Sequence, residues 1–231
     1  MTTIRRATAE DVTGIGAVIE DAFAQLIDEP YCQQLIQQGE QQIHVAIADD
    51  DRVIGFVSGF LTTAQGGIRR WEIDLLAVHT NFQKQDIGQN LVKAAWQDAE
   101  AHNVRFARAA VRIENTAAQR TFQKAGYTSN ERIYNMIYWT PLVSQAVIAG
   151  RGPVNAIPVK TLTYQGIWLE GLDIPMLSDA DRIRYIEGAR AAAARESYQF
   201  ASSLLPPELS MKPEIPGDGQ IVGQYQWWHK P

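Results

Sequence analysis

The sequence predicts an α+β fold, and three stretches carry that reading. Residues 71–101 pass from an apolar segment with two-residue periodicity, through a polar loop, into a segment with helical spacing. Residues 42–61 hold two strand-like runs joined across Asp49-Asp50-Asp51-Arg52, a hairpin with turn-forming residues. Residues 12–26 place Val12, Ile15, Ile19, Ala22, Phe23 and Leu26 on one helical face. At 231 residues, 45% hydrophobic and 20% charged, the chain suits one large domain or a domain with an appendage.

From the start, residues 3–6 form a short strand, and Thr8-x-x-Asp11 is a capping box that opens the first helix. Pro30 resets the chain, and residues 31–38 make a second short helix closed by Gly39. Strands follow over 42–48 and 53–61, with Gly66-Gly67 marking the next turn. In residues 72–78, alternation puts Glu72, Asp74, Leu76 and Val78 on one face and Ile73, Leu75 and Ala77 on the other. Ile87, Leu91, Val92, Ala95 and Ala99 then recur at helical spacing, so a long helix begins near Asp86. Residues 106–111 read as a strand. Asn115 caps a short helix whose Ala118, Phe122 and Ala125 share a face and whose Gly126 suits the position after its end. Residues 133–139 supply one more strand.

The C-terminal part is less patterned. Residues 143–160 carry Gly150, Gly152, Pro153 and Pro158 and read as a linker or crossover. Residues 161–169 are strand-like, Ser178-x-x-Asp181 starts a helix that runs through the Ala-rich residues 189–194 to about Leu204, and residues 221–228 form a last strand. No internal repeat stands out. The expected organisation is a domain over 1–142, a linker over 143–160 and an accessory C-terminal α/β subdomain over 161–231. Tyr225, Trp227 and Trp228 need cover, from their own domain or from a second protomer in a homodimer.

A net charge of −5 and a pI near 5.4, with no Lys/Arg run beyond pairs such as Arg5-Arg6 and Arg69-Arg70, argue against a nucleic-acid partner or an acidic substrate. The lone Cys32 excludes an internal disulfide, and with four scattered histidines it leaves no metal-ligand spacing. His44 and His79 read as structural. No apolar run approaches the roughly 18 residues of a membrane span, and no charged-then-apolar leader opens the chain, so a cytoplasmic location without a membrane partner is expected.

A helix N-terminus exposes unpaired N–H groups and the positive end of the helix dipole, so the turn before Ile87 is suited to a phosphate or pyrophosphate. Gln83-Lys84-Gln85-Asp86-Ile87-Gly88, after a strand ending Leu76-Ala77-Val78, resembles the acyl-CoA loop of the GCN5-related N-acetyltransferase (GNAT) family: Arg or Gln, two residues, Gly, any residue, Gly or Ala. Asp86 stands where that pattern has its first Gly. Asp tolerates positive φ better than most residues, so the turn remains possible. Its charge, about 5 Å from a phosphate charge, would cost ~3 kcal/mol at an effective dielectric near 20, so Asp86 must point outward or cap the helix. Residues 115–127, from Asn115 through Phe122 to Gly126-Tyr127, resemble the family's next block, about thirty residues on.

The resemblance covers residues 3–142. It implies an acyl-CoA N-acyltransferase fold, a mixed, mostly antiparallel sheet splayed beside the central strand with helices on both faces. It also implies direct transfer from acetyl-CoA, as co-substrate and without a metal, to a small-molecule or peptide amine. Carried over, the cofactor-binding residues are Ala77 and Val78 on the strand, Gln83, Lys84, Asp86, Ile87, Gly88 and Gln89 in the loop, and Asn115 and Phe122 beyond. Glu72, five residues before Ala77, is the expected catalytic base. The family's commonest proton donor to the departing thiolate is a Tyr at the position of Phe122, and a phenyl ring cannot donate a proton. The alternatives are a catalytically weak acyl-CoA-binding sensor or scaffold, motivated by Asp86, Phe122 and the extra residues, and a purely structural protein.

Overall fold

A computed structural model describes residues 2–146, 152–215 and 217–231. Gly150, part of the expected linker, lies outside them. The first elements are β1 (Thr3–Arg6), α1 (Val12–Phe23), α2 (Glu29–Gln38), β2 (Gln42–Ile47), β3 (Val53–Thr63) and β4 (Arg69–Val78). Next come α3 (Ile87–Ala101), β5 (Ala107–Arg112), α4 (Thr116–Lys124) and β6 (Thr128–Trp139). The chain then adds β7 (Asn155–Lys160), β8 (Gln165–Glu170), α5 (Asp179–Arg195), β9 (Phe200–Leu205), α6 (Pro207–Ser210) and β10 (Gln220–Lys230). Among the described residues no helix is long and apolar enough to cross a membrane, and no cluster of His, Cys, Asp and Glu is placed to hold a metal ion.

Local chemistry sets the boundaries. The Thr8/Asp11 capping box forms around a short 3-10 turn that leads into α1, and Gly39 ends α2 at φ +70°. Asn115 and Ser178 each cap a helix, accepting from the backbone N–H groups of Ala118 and Asp181. Two boundaries differ from expectation. α1 stops at Phe23 because Ala24 turns left-handed, so Leu26 is 83% exposed and Val18 takes a core place instead. The helix expected to reach Leu204 stops at Arg195, and the apolar run after it is β9; periodicity cannot separate a short buried strand from helix.

Ten strands form one sheet in the order β1-β2-β3-β4-β5-β10-β6-β9-β8-β7. The neighbours are antiparallel except for β4 with β5 and β8 with β9. α3 buries Ile87, Leu91, Val92, Ala95 and Ala99 against Trp71, Ile73 and Ala109, at roughly 2 kcal/mol per large side chain. Val12, Ile15 and Ile19 of α1 meet Phe56 and Ala77 on the opposite face. α5 covers the far half through Ile186, Ala189 and Ala193, against Ile167, Leu169 and Ala201.

The expected division at residue 142 is not how the sheet is built. β10, the end of the expected appendage, lies between β5 and β6 and pairs with both. The expected linker contains β7, and residues 161–164 of the expected strand form the turn between β7 and β8. The element order β3-β4-α3-β5-α4-β6 is repeated as β7-β8-α5-β9-α6-β10, and the sheet reads β3-β4-β5 from one side and β7-β8-β9 from the other. Each half has its parallel pair joined by a helix, and each half's last strand pairs with the other half: β10 with β5, β6 with β9. The chain thus contains an internal structural repeat with exchanged final strands.

Alternation along β4 also departs from expectation. Ser58 pairs with Leu75 and the next residue, Gly59, with Ile73, so Asp74 is the extra residue of a β-bulge. Trp71 and Ile73 face α3 before the bulge, whereas Leu76 and Val78 do so after it, and Leu75 and Ala77 face α1. The expected common face of Glu72, Asp74, Leu76 and Val78 is therefore broken at Asp74.

Candidate active site

The bulge sits where the sheet opens. β4 and β5 pair from Trp71 with Ala107 to Ile73 with Ala109, and from Asp74 onward they diverge. Between them and the curled far half lies a cavity of about 300 Å³, lined by β4 from Glu72 to Leu76, by β5 from Arg108 to Arg112, and by side chains of β6, β7, β8 and β10. Phe23 of α1 and Asn115, Ala118 and Phe122 of α4 also line it.

Where β4 and β5 still pair, four charged side chains form a closed set. Arg70 Nε donates to Glu72 Oε1 at 2.6 Å and Arg70 Nη2 to Glu170 Oε2 at 2.5 Å. Arg108 Nε donates to Glu72 Oε2 at 2.9 Å, and Arg108 Nη2 is bonded to Glu170. Thr62 adds a hydroxyl to Glu72 Oε1 at 2.8 Å. Burial pushes Glu170 up, but the Arg108 and Arg70 charges outweigh it and hold the carboxyl below its ordinary range. Glu72, the expected base, is thus buried but paired with two guanidinium groups; a carboxylate that is desolvated and free of a cationic partner would suit the role better.

Asp74 has those properties. Its Oδ1 accepts from the Tyr164 hydroxyl, and its buried Oδ2 has no hydrogen-bond partner. Burial pushes its carboxyl up to about 6, against the downward pull of the Tyr164 and Thr161 hydroxyls. Tyr138 shares the cavity, and burial pushes its phenol up to about 12, so it stays protonated.

The turn before α3 has the backbone that an anion cradle needs. Lys84 and Asp86 are left-handed, at φ +62° and +58°, and the first N–H groups of α3 have no acceptor inside the helix. The Asp86 side chain makes no capping hydrogen bond; its Oδ1 receives Lys124 Nζ at 3.1 Å in an exposed contact. A Cβ on Gly88 would meet Thr121 at 3.4 Å, so α3 and α4 pack closely there. Gln89 donates to the Lys124 carbonyl at 3.1 Å, and Gln83 to that of Val78 at 3.2 Å. Ile87 is a core side chain that offers only its N–H. α4 connects this turn to the cavity through Asn115 and through Phe122, which is buried edge-to-face on Tyr127. Ala77 and Val78 lie past the last β4–β5 pair, beyond the cavity lining.

Over this stretch the chain matches the model described as the Acetyltransferase (GNAT) family. The match spans residues 15–127. No curated protein matches the chain. Among solved structures, the GCN5-related glucosamine N-acetyltransferase region of a fungal multi-domain GH3 β-N-acetylglucosaminidase is 10% identical with a TM-score of 0.62; the alignment covers 100% of this chain and 38% of that one. Arabidopsis thaliana NAA60 in complex with a bisubstrate analogue is 17% identical (TM-score 0.52; 58% of this chain, 88% of that one). Salmonella typhimurium yncA with acetyl-CoA is 18% identical (TM-score 0.51; 58% and 84%). These likenesses show the fold, which is the mixed, mostly antiparallel GNAT sheet with extra C-terminal strands.

Most of the cavity lining was not among the site residues expected from the sequence. Tyr138, Tyr164, Trp168, Tyr225 and Trp227 all line it. The alternate spacing of Tyr225 and Trp227 marks one strand face, yet nothing in the spacing says that this strand enters the middle of the sheet.

Proposed function

We propose that this protein is an acetyl-CoA-dependent N-acetyltransferase acting on a small-molecule or peptide amine by direct transfer. The observation that carries the reading is the junction at β4: a carboxylate with a raised pKa sits at the splay of the sheet, one short helix away from a left-handed turn that opens α3. The residues fit acetyl-CoA. The N–H groups that open α3 would hold its pyrophosphate, Lys84 adds positive charge, and Asp86, turned to Lys124, adds no charge on the cradle side. Acetyl-CoA would supply the acetyl group as a thioester: the amine nitrogen forms the amide bond, CoA leaves as the thiolate, and the proton that the nitrogen still sheds on becoming an amide passes to solvent.

The chain's own residues move and hold the proton. Asp74, ionised above about pH 6, takes a proton from the acceptor ammonium, and Tyr164 orients its carboxylate. Glu72 positions: it holds Arg70 and Arg108 at the closed end of the cavity. α4 offers no acid at Phe122, and a thiol with a pKa of about 8.5 can leave without full proton transfer.

Gly88→Glu tests the loop. A longer, negatively charged side chain at the α3–α4 contact should abolish acetyl-CoA binding by calorimetry while the protein stays folded by circular dichroism; unchanged affinity in a folded variant would refute the reading. Phe122 favours a second reading, a weakly catalytic acyl-CoA sensor, and stoichiometric CoA binding without turnover of any amine would select it.

A further inference from the structure

The acceptor side of the cavity is built by the second half of the chain. The β7–β8 hairpin lies across the opening and is tied to the GNAT half along its length. Asn155 Nδ2 donates to the Thr63 carbonyl at 3.0 Å, and Gln41 Nε2 to the Lys160 carbonyl at 2.8 Å. The Cys32 thiol meets the Leu162 carbonyl at 3.4 Å, and Glu170 joins Arg70 and Arg108. An extended peptide lying in an open groove along β4 would have to displace this hairpin and break a buried set of ion pairs.

What remains is small and selective. About 300 Å³ is at the low end for ligand sites. Phe60, Tyr138, Trp168, Tyr225 and Trp227 bring aromatic surface to it. Its other charges are already matched: Arg70 and Arg108 with Glu72 and Glu170, Arg112 with Glu114. Asp74 alone among the cavity's carboxylates has no cationic partner among the described residues, and its Oδ2 has no hydrogen-bond partner. Aromatic faces and one unmatched carboxylate together suit a single ammonium on a flat apolar body.

We propose that the acceptor is a compact primary monoamine with an aromatic or aliphatic body, held between β4 and the β7–β8 hairpin, and that peptides and amino sugars are excluded. This rests on the acetyltransferase reading above.

The test uses the full chain, acetyl-CoA, and four probe amines: 2-phenylethylamine, glucosamine, an aminoglycoside and a short peptide with a free N-terminus. CoA release is followed with a thiol reagent, and acetyl-CoA binding is measured separately by calorimetry. The expected result is kcat/KM for 2-phenylethylamine at least about tenfold above each of the others. Trp168→Ala should raise KM for 2-phenylethylamine about tenfold while acetyl-CoA affinity stays the same. Comparable or faster acetylation of the peptide, the aminoglycoside or glucosamine would overturn this proposal and leave the acetyltransferase reading standing. Acetyl-CoA binding with no turnover of any amine would overturn both, and so would an absence of binding.

Discussion

In the proposed mechanism Asp74 combines a catalytic use with a folding cost, and both follow from where one bulge residue points. Burial pushes its carboxyl up to about 6 while the Tyr164 hydrogen bond pulls it down, so kcat/KM should fall as pH drops below about 6. Tyr164→Phe removes a stabiliser of the ionised form and should move that acidic limb upward; a limb that stays in place would detach Tyr164 from the proton transfer. The stability argument has a defined sign. A folded pKa of about 6 lies above the ordinary Asp value of ~3.9, so the folded state binds this proton more tightly than the unfolded chain. The resulting stability is fully present below about pH 4 and is lost as pH rises through about 6. Asp74→Asn should therefore raise the urea midpoint at pH 8 and leave it nearly unchanged at pH 4, even as activity falls ~10²-fold. Equal midpoints at both pH values would mean that the carboxylate is not desolvated.

On the same strand, a carboxylate paired with two guanidinium groups lies two residues from the proposed base. Glu72 lies between Arg70 and Arg108 and, with Glu170, fastens β8 to the paired part of β4 and β5. Removing one charge from a buried set leaves guanidinium groups uncompensated, so Glu72→Gln should destabilise the fold by about 3 kcal/mol in urea titrations. A variant as stable as the parent but ~10²-fold slower would return the base role to Glu72. The sequence could not separate the two carboxylates, because strict alternation puts both on one face. The bulge that shifts the phase depends on Gly59 pairing with Ile73, a contact between strands that no local pattern encodes. Elements with strong local signals were legible: the Thr8/Asp11 box, the Asn115 cap, the α3 stripe and the tolerance of Asp86 for positive φ. The cavity was not, because its aromatic wall comes from β6, β8 and β10, and the pairings that bring the second half's strands beside β5 and β6 join residues far apart in sequence.

At the scale of the whole molecule, the two halves complete each other. β10 has β5 on one side and β6 on the other, and Trp228 is buried in the core beneath α3. The apolar terminal strand that needed cover finds it within the chain, through the exchange of last strands between two structurally repeated halves. The sheet that carries the GNAT segment is therefore not closed at Leu142, because β10 completes it between β5 and β6. A chain ending at Gly219 keeps every residue of the α3 turn and Asp74, yet it exposes one edge of β5 and one of β6 and removes Trp227 from the cavity. Unpaired ladder groups and exposed aromatic surface make such a chain prone to aggregate. Residues 1–219 should lose both the cooperative urea transition and acetyl-CoA binding by calorimetry, although no deleted residue belongs to the cofactor loop. Wild-type affinity together with a sharp transition in that truncated chain would show that the first half folds without its exchanged strand.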